Sequence, residues 1–356
     1  MRFYWDFMDH LSERQRFILT LLIREYIETA QPVGSRLLVE RYKLDISPAT
    51  VRNEMVALTE AGYLRQPHTS AGRVPTEEGY RYFVSHFVYQ ANLPDATRHT
   101  ITHQFYQARQ DREQWMPLAA SILAHQSRAA SLVTAPHMQR AHYKHMELIS
   151  TQGRQVLMVL VLSGGEVSQQ ILTLAEPVSQ EQLSHAANHL NDTCLGKTTD
   201  EIGALPPHSE ALEKDILTLV LQDMTRGDQR VSGEVFLDGL TNVLSEPEFI
   251  GSDEARRALH LFEERSLLQD LLSRTMVNST IGGVQVLIGG EGKWEELRQC
   301  SVVLSRYGIP GLATGTLGVF GPIRMPYART VPTVRFMADL LSGLVSETMV
   351  GDEERT

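Results

Sequence analysis

The sequence predicts a multidomain α+β protein that opens on a helix-turn-helix followed by a basic wing. Three observations carry this. The run Ser47 to Tyr82, SPATVRNEMVALTEAGYLRQPHTSAGRVPTEEGYRY, has the start, face pattern and stop of one helix and then a turn-rich hairpin. β-rich runs recur at 145–175 and again at 284–320. Between them, residues 197–275 read as mostly helical, and a helical block inside an antiparallel α+β domain reads as an insertion.

The elements follow in order. Ser12-Glu13-Arg14-Gln15 is a capping-box pattern, and Phe17, Ile18, Leu21, Leu22 and Ile27 supply an apolar stripe behind it. Gly34-Ser35 opens a short helix through Leu37, Leu38 and Tyr42, and Lys43 to Ile46 has the length of a helix-turn-helix turn. Ser47 is placed to N-cap the next helix, Pro48 suits its first position, and Gly62 closes its far end. Val51, Met55 and Leu58 recur at helical spacing and should face a core. Ala49, Asn53 and Val56 then lie opposite, flanked by Thr50 and Arg52, at the end that enters the major groove in helix-turn-helix proteins.

Tyr63-Leu64-Arg65 should form a strand, Pro67 to Gly72 a turn, and Arg73-Val74-Pro75 the return strand. Leu64 to Thr76 contains two arginines and a histidine but no carboxylate. A tip of short polar side chains lets backbone N–H groups approach phosphates. Thr76 with Glu77-Glu78 starts a further helix through Tyr80, Tyr82, Phe83 and Phe87. The candidate DNA-binding residues are therefore Ser47, Thr50, Arg52 and Asn53 on the helix, and Arg65, His68, Thr69, Ser70 and Arg73 on the wing. The competing reading is a three-helix packing unit with a merely solvated face. Local charge favours it mildly, because residues 1–85 hold 11 Lys+Arg and 11 Asp+Glu. Helix order, cap chemistry and the carboxylate-free wing agree on DNA instead.

The whole formal charge of −10 thus lies behind residue 85, so the body is not expected to touch DNA. Two cysteines, Cys194 and Cys300, do not make a disulfide framework. The longest apolar run, Val156 to Leu162, is too short to span a bilayer, and a cytoplasmic location is expected. Residues 88–116 read as a linker helix after the break at Asn92 to Asp95, and a second helix should end near Ser127. Strands are expected at His145–Ser150, Val156–Ser163 and Gln169–Ala175, with Gly164-Gly165 turning the last pair. Ser179 caps a helix ending near Gly196. Helices should follow at Ala211–Thr225, Leu240–Leu244 and Asp253–Ser273, strands at Val284–Ile288, Ser301–Ser305 and Thr314–Phe320, and a last helix from about Pro332 to Met349.

SPATVRNEM followed by GYLRQPHTSAGRVPTEEGYRYFV resembles the N-terminal signature of the heat-inducible transcription repressor family, HrcA. GLTNVLSEPEF (Gly239–Phe249) and CSVVLSRYG…GTLGVFGPIRMPYAR (Cys300–Arg329) resemble its C-terminal half. Two places depart from the pattern: the aromatic leader MRFYWDFMD, and IGGEG at 288–292, where an acidic-Asn pair is expected. The resemblance implies a winged-helix domain (1–87), the linker helix, a GAF-like domain in two parts (117–196 and 276–356) and an inserted, mainly helical dimerisation domain (197–275). It implies a homodimer that represses heat-shock chaperone genes from an inverted-repeat (CIRCE-type) operator of double-stranded DNA. Chaperonin would assist the active fold. No cofactor, metal or enzymatic activity is implied. The alternative is a winged-helix regulator whose GAF-like domain senses a metabolite.

Other motifs read as structural. His185 and His189 lie four apart but lack the Glu of a zinc-protease helix, and His137, His142 and His145 lack a carboxylate or Cys at ligand spacing. Gly289 to Lys293 lacks the spacing of a phosphate loop. Cys300 reads as a buried small hydrophobe. Gly315 to Tyr327, with three glycines and two prolines around Arg324, reads as close backbone packing before it reads as a ligand pocket.

Overall fold

Ser12 and Gln15 cap each other reciprocally at the start of α1 (Glu13–Thr29), each side chain bonding the other's backbone N–H at 3.0 and 3.2 Å. The chain is described by a computed structural model over residues 11–69, 71–88, 91–108, 111–138, 142–163, 167–174, 176–206, 210–229, 234–250, 260, 264–276, 280–289, 297–310 and 312–353. Ile18, Leu19, Leu22 and Ile23 of α1 are fully buried, whereas Phe17, expected in the stripe, is 51% exposed. α2 (Ser35–Tyr42) buries Leu38 but leaves Leu37 outside. α3 (Pro48–Glu60) turns Val51, Met55 and Leu58 inward, as their spacing requires. β1 (Leu64–Arg65) and β2 (Val74–Pro75) pair antiparallel, and Thr76 caps α4 (Glu77–Phe83), which runs into a π-turn at Val84–Val88.

The segment expected as a linker is packed structure. Ile101 and Phe105 of α5 (Asp95–Gln107) are buried, and Arg98 lies over the Phe336 ring at 5.4 Å. A short 3-10 turn (Arg112–Gln114) leads into α6 (Trp115–Ser127).

The body is an antiparallel sheet of order β8-β3-β11-β10-β9, with β4 on the end of β11. Its strands are β3 (Ala130–Thr134), β4 (His137–Met138), β8 (Val235–Asp238), β9 (Val284–Ile288), β10 (Cys300–Ile309) and β11 (Ala313–Pro322). β9 to β11 match the sequence expectation in place, whereas β3 and β8 were not expected. The period-2 alternation sorts side chains between two cores. Val133, Val303, Leu317 and Val319 join the core beneath α6 and the last helix. Ala130, Leu132, Val302, Leu304 and Phe320 join the opposite core. Coverage of both faces explains why every residue of β11 is buried. Its glycines are needed for contact: a Cβ on Gly315 would meet the Tyr307 ring at 2.5 Å, and one on Gly318 would meet the Val303 carbonyl at 2.3 Å.

A second unit stands apart from this sheet. β5 (Tyr143–Ser150), β6 (Gln155–Leu162) and β7 (Val167–Thr173) form a meander, and Gly164-Gly165, expected at its second turn, lies outside the described residues. α7 (Gln180–Cys194), α8 (Thr199–Gly203) and α9 (Ala211–Gln229) pack with it around Met146, Met158, Leu183, Leu190, Ile216 and Val220. α10 (Leu240–Leu244) and α11 (Arg265–Met276) belong instead to the core on the large sheet, through Val243, Leu268, Leu271 and Leu272. The division expected at residues 197 and 275 therefore does not follow the packing. The unit with its own core runs from Tyr143 to Met224, and the expected helical block is shared between two cores. The physical reason is that β8 pairs with β3 and returns the chain to the large sheet before α10 begins.

α12 (Tyr327–Glu353) starts five residues earlier than expected and carries Pro332 inside it. As the sixth helical residue it removes the one backbone donor that would reach the Ala328 carbonyl. α12 and α6 share one continuous core with α1, α3 and α4, from Leu11 to Val345. Among the described residues no helix is long and apolar enough to cross a membrane.

Candidate nucleic-acid interface

The N-terminus of α3 is built by its own sequence. Ser47 Oγ accepts from the Thr50 N–H at 3.1 Å and meets Thr50 Oγ1 at 3.0 Å, and Pro48 occupies the first turn. Arg52 and Asn53 are exposed one turn in, beside exposed Val56. Glu54, the carboxylate on this turn, is turned to Arg14 at 3.6 Å. Two positive-φ positions shape the surroundings: Lys43 (φ 50°) ends α2, and Gly62 (φ 85°) redirects the chain from α3 into β1.

The wing is braced from inside. Gln66 Nε2 donates to the Thr69 and Ala71 carbonyls at 2.9 and 3.1 Å, and the Ala71 N–H returns to the His68 carbonyl at 2.9 Å. His68 and Thr69 are thereby exposed at a closed tip. Ser70 lies outside the described residues. Gly72 passes so close to the Val33 backbone that a Cβ would sit 2.3 Å from its carbonyl oxygen. Arg73 exchanges two backbone hydrogen bonds with Val33, both 2.9 Å. Its half-buried side chain donates from Nε to Thr59 Oγ1 at 3.0 Å. Thr76 completes the frame: its hydroxyl donates to the Gly62 carbonyl at 2.7 Å and accepts from the Gly79 N–H at 3.2 Å.

The expected site residues therefore divide. Ser47, Thr50, Arg52 and Asn53 cluster on one helix end, and His68 and Thr69 form the wing tip. Arg73 is a brace between wing and helix. Arg65 is exposed but lines a cleft against the body, with Tyr26, Glu248 and Arg324. Gln66, Thr59 and Arg14 support the site and were missed by sequence reasoning. For Arg14 and Thr59 the available signal was a polar residue within a helical apolar pattern, whereas Gln66, just after β1, offered none.

Behind the interface, Glu25 is fully buried, yet Arg41 reaches it at 2.8 Å and Glu28 at 2.5 Å, and Tyr42 Oη donates to Glu25 at 3.2 Å. This polar link fixes α2 against α1. Arg324, 12% exposed, ties Glu246 and Glu248 together and reaches the Ile27 carbonyl at 3.4 Å. Arg81 binds Glu77 and Glu78 at 2.9 and 3.1 Å and the Ile288 carbonyl at 3.0 Å. Both arginines join the N-terminal unit to the body.

The family model described as "HrcA protein C terminal domain" matches residues 113–331. The chain is 44% identical to the "Heat-inducible transcription repressor HrcA" of Roseiflexus castenholzii, over 95% of each chain. It is 39% identical to the protein of that name from Chloroflexus aggregans, over 95% of this chain and 93% of the relative. A crystal structure titled as a hypothetical protein shares the fold at TM-score 0.56 and 24% identity, covering 95% of this chain and 98% of that one. The chain belongs to the HrcA family of heat-inducible transcription repressors, and its activity is repression of transcription, not catalysis.

Proposed function

We propose that the chain represses by occupying an inverted-repeat operator as a homodimer, each copy setting α3 in a major groove and the wing tip on the flanking backbone. The observation that carries this reading is the exposed, Ser47-capped end of α3 beside a braced wing tip that holds no carboxylate. Asn53 and Arg52 suit adenine and guanine edges, while Ser47, Thr50, His68, Thr69 and Ser70 suit phosphates. Arg73 sets the wing angle, and Arg65 is left to the cleft.

The dimer is assigned to the outer face of the meander. Ile149, Leu157 and Ile171 form one cross-strand row there, and His145, Val161 and Val167 another. Ile171 is 65% and Val167 53% exposed, a sheet face of this kind being best explained by a second copy. The body keeps the GAF-like assignment, and the dimer-forming insertion is residues 142–229 in place of 197–275. The genes controlled are those of heat-shock chaperones, the location is the cytoplasm, and chaperonin favours the active fold.

The test is footprinting of the full chain on upstream regions of its own genome. Two protected half-sites one helical turn, about 10–10.5 bp, or a multiple apart are expected. Uniform protection without half-sites would remove the operator reading.

A further inference from the structure

The N-terminal unit and the body enclose a cleft of about 600 Å3 that repression by DNA occupancy does not use. Four arginines line it, and two of them are already engaged: Arg81 by Glu77 and Glu78, and Arg324 by Glu246 and Glu248. Arg65, from β1, and Arg298, from the body, have no carboxylate partner among the described residues. Tyr80, 2% exposed, also lines the cleft, and its hydroxyl has no hydrogen-bond partner among the described residues. Its ring lies 6.0 Å from that of Tyr327, the cleft it borders is also lined by Tyr26, Arg324 and Glu248, and burial raises its pKa well above the usual phenol range. A buried hydroxyl without a partner is uncommon in a folded protein. Here it borders a cavity in the size range of small-molecule sites.

We infer that this cleft binds a small anionic molecule with a phosphate or carboxylate head, bridged by Arg65 of the DNA-reading unit and Arg298 of the body, with Tyr80 as a further hydrogen-bonding group. Guanidinium groups hold such heads through paired, charge-assisted hydrogen bonds. Since the two arginines belong to opposite sides of a packed junction, occupancy selects among the small shifts of the reading unit that this packing allows. Any preference of the ligand for one orientation must then appear as a change in operator affinity, and the operator must change ligand affinity by the same factor. This inference goes beyond the repressor reading and does not depend on which genes are controlled.

The experiment is isothermal titration of the full chain with sodium pyrophosphate and, separately, citrate, at ionic strength fixed with sodium chloride. Saturable binding of at least one anion is expected, and the stronger one gives the head chemistry. Arg65→Gln and Arg298→Gln should each weaken it by about tenfold or more, as loss of a charged hydrogen bond implies, and Arg298→Lys by less. Circular dichroism checks that each variant is folded. Without anion, Arg298→Gln should bind operator as the parent does. Tyr80→Phe should melt no lower than the parent without anion, yet bind the anion more weakly. Absence of saturable heat with both anions, or parental affinity in both glutamine variants, overturns the inference. Anion binding that depends on both arginines in a protein without operator affinity supports it while refuting the operator reading.

Discussion

Arg73 Nε donates to Thr59 Oγ1 over 3.0 Å, joining the returning strand of the wing to the last turn of the helix that would read DNA. Thr59 Oγ1 also donates to the Met55 carbonyl at 2.7 Å, so the bond ends on a rigid element. Wing and helix are thus held at one angle by a side chain that sequence alone assigns to phosphate.

Arg73→Ala and Arg73→Lys should both weaken operator binding, because a lysine has no Nε–H at that position. Neither should alter the salt dependence of binding. A phosphate contact would instead survive in the lysine variant, and its loss in the alanine variant would lower the salt slope by about one unit. Affinities across a salt series separate the two.

Asn53→Ala should cost about 1–3 kcal/mol on the operator and leave random DNA nearly unaffected. Its exposed place one turn into α3 motivates this. Equal losses on both DNAs in a gel-shift titration would remove Asn53 from base reading.

Ile171→Glu, alone or with Val167→Glu, should yield a monomer in sedimentation with operator affinity lowered by about 10²–10⁴, the loss of the second half-site. Both side chains point away from the meander's own core, so the fold should survive. A variant that stays dimeric moves the interface elsewhere.

Arg41→Ala should destabilise the N-terminal unit by about 1–3 kcal/mol, because it strands Glu25 in a fully buried position. The lower half of that range is expected, since the Arg41 side chain is 45% exposed and Tyr42 still donates to Glu25. Denaturant unfolding followed by the α1–α3 signal reads it, and an unchanged midpoint would count against a structural role for the pair.

Refolding from denaturant with chaperonin and ATP should raise the yield of operator-binding protein, and an unfolded competitor should reverse the gain. The motive is topology: Thr134 Oγ1 accepts from the Thr316 N–H across 182 residues, and such non-local pairing leaves strand edges open during folding. Equal yields in all arms would remove chaperonin from the mechanism.

The elements legible in the sequence are those whose ends are written locally. Ser12, Ser47, Thr76 and Ser179 each cap the helix they were expected to cap, and Gly62 turns where a glycine is needed. β3 and β8 escaped because nothing local decides them. Ala130–Thr134 follows an apolar helix without a turn signal, and it becomes a strand only by pairing with Val235–Asp238 and β11. The limits of the insertion escaped for the same reason, since helicity does not reveal which core a helix serves. Within the candidate site, residue types in α3 were readable from periodicity. The direction of Arg65 and the engagement of Arg73 depend on contacts with distant segments, and period-2 alternation carries no such information.

Among the described residues one core joins α1, α3 and α4 of the reading unit to α6 and α12 of the body, so the two are tied by packing as well as by the chain between them. A dimer of such bodies would act as a calliper with set jaws. Adding about five base pairs between half-sites turns one jaw to the far side of the duplex, and a welded calliper cannot follow. Adding a full turn of about ten restores the facing but opens a gap the jaws do not span. Operator length, for this protein, would be written in the packing of α12 against the reading unit as much as in the helix that touches the bases.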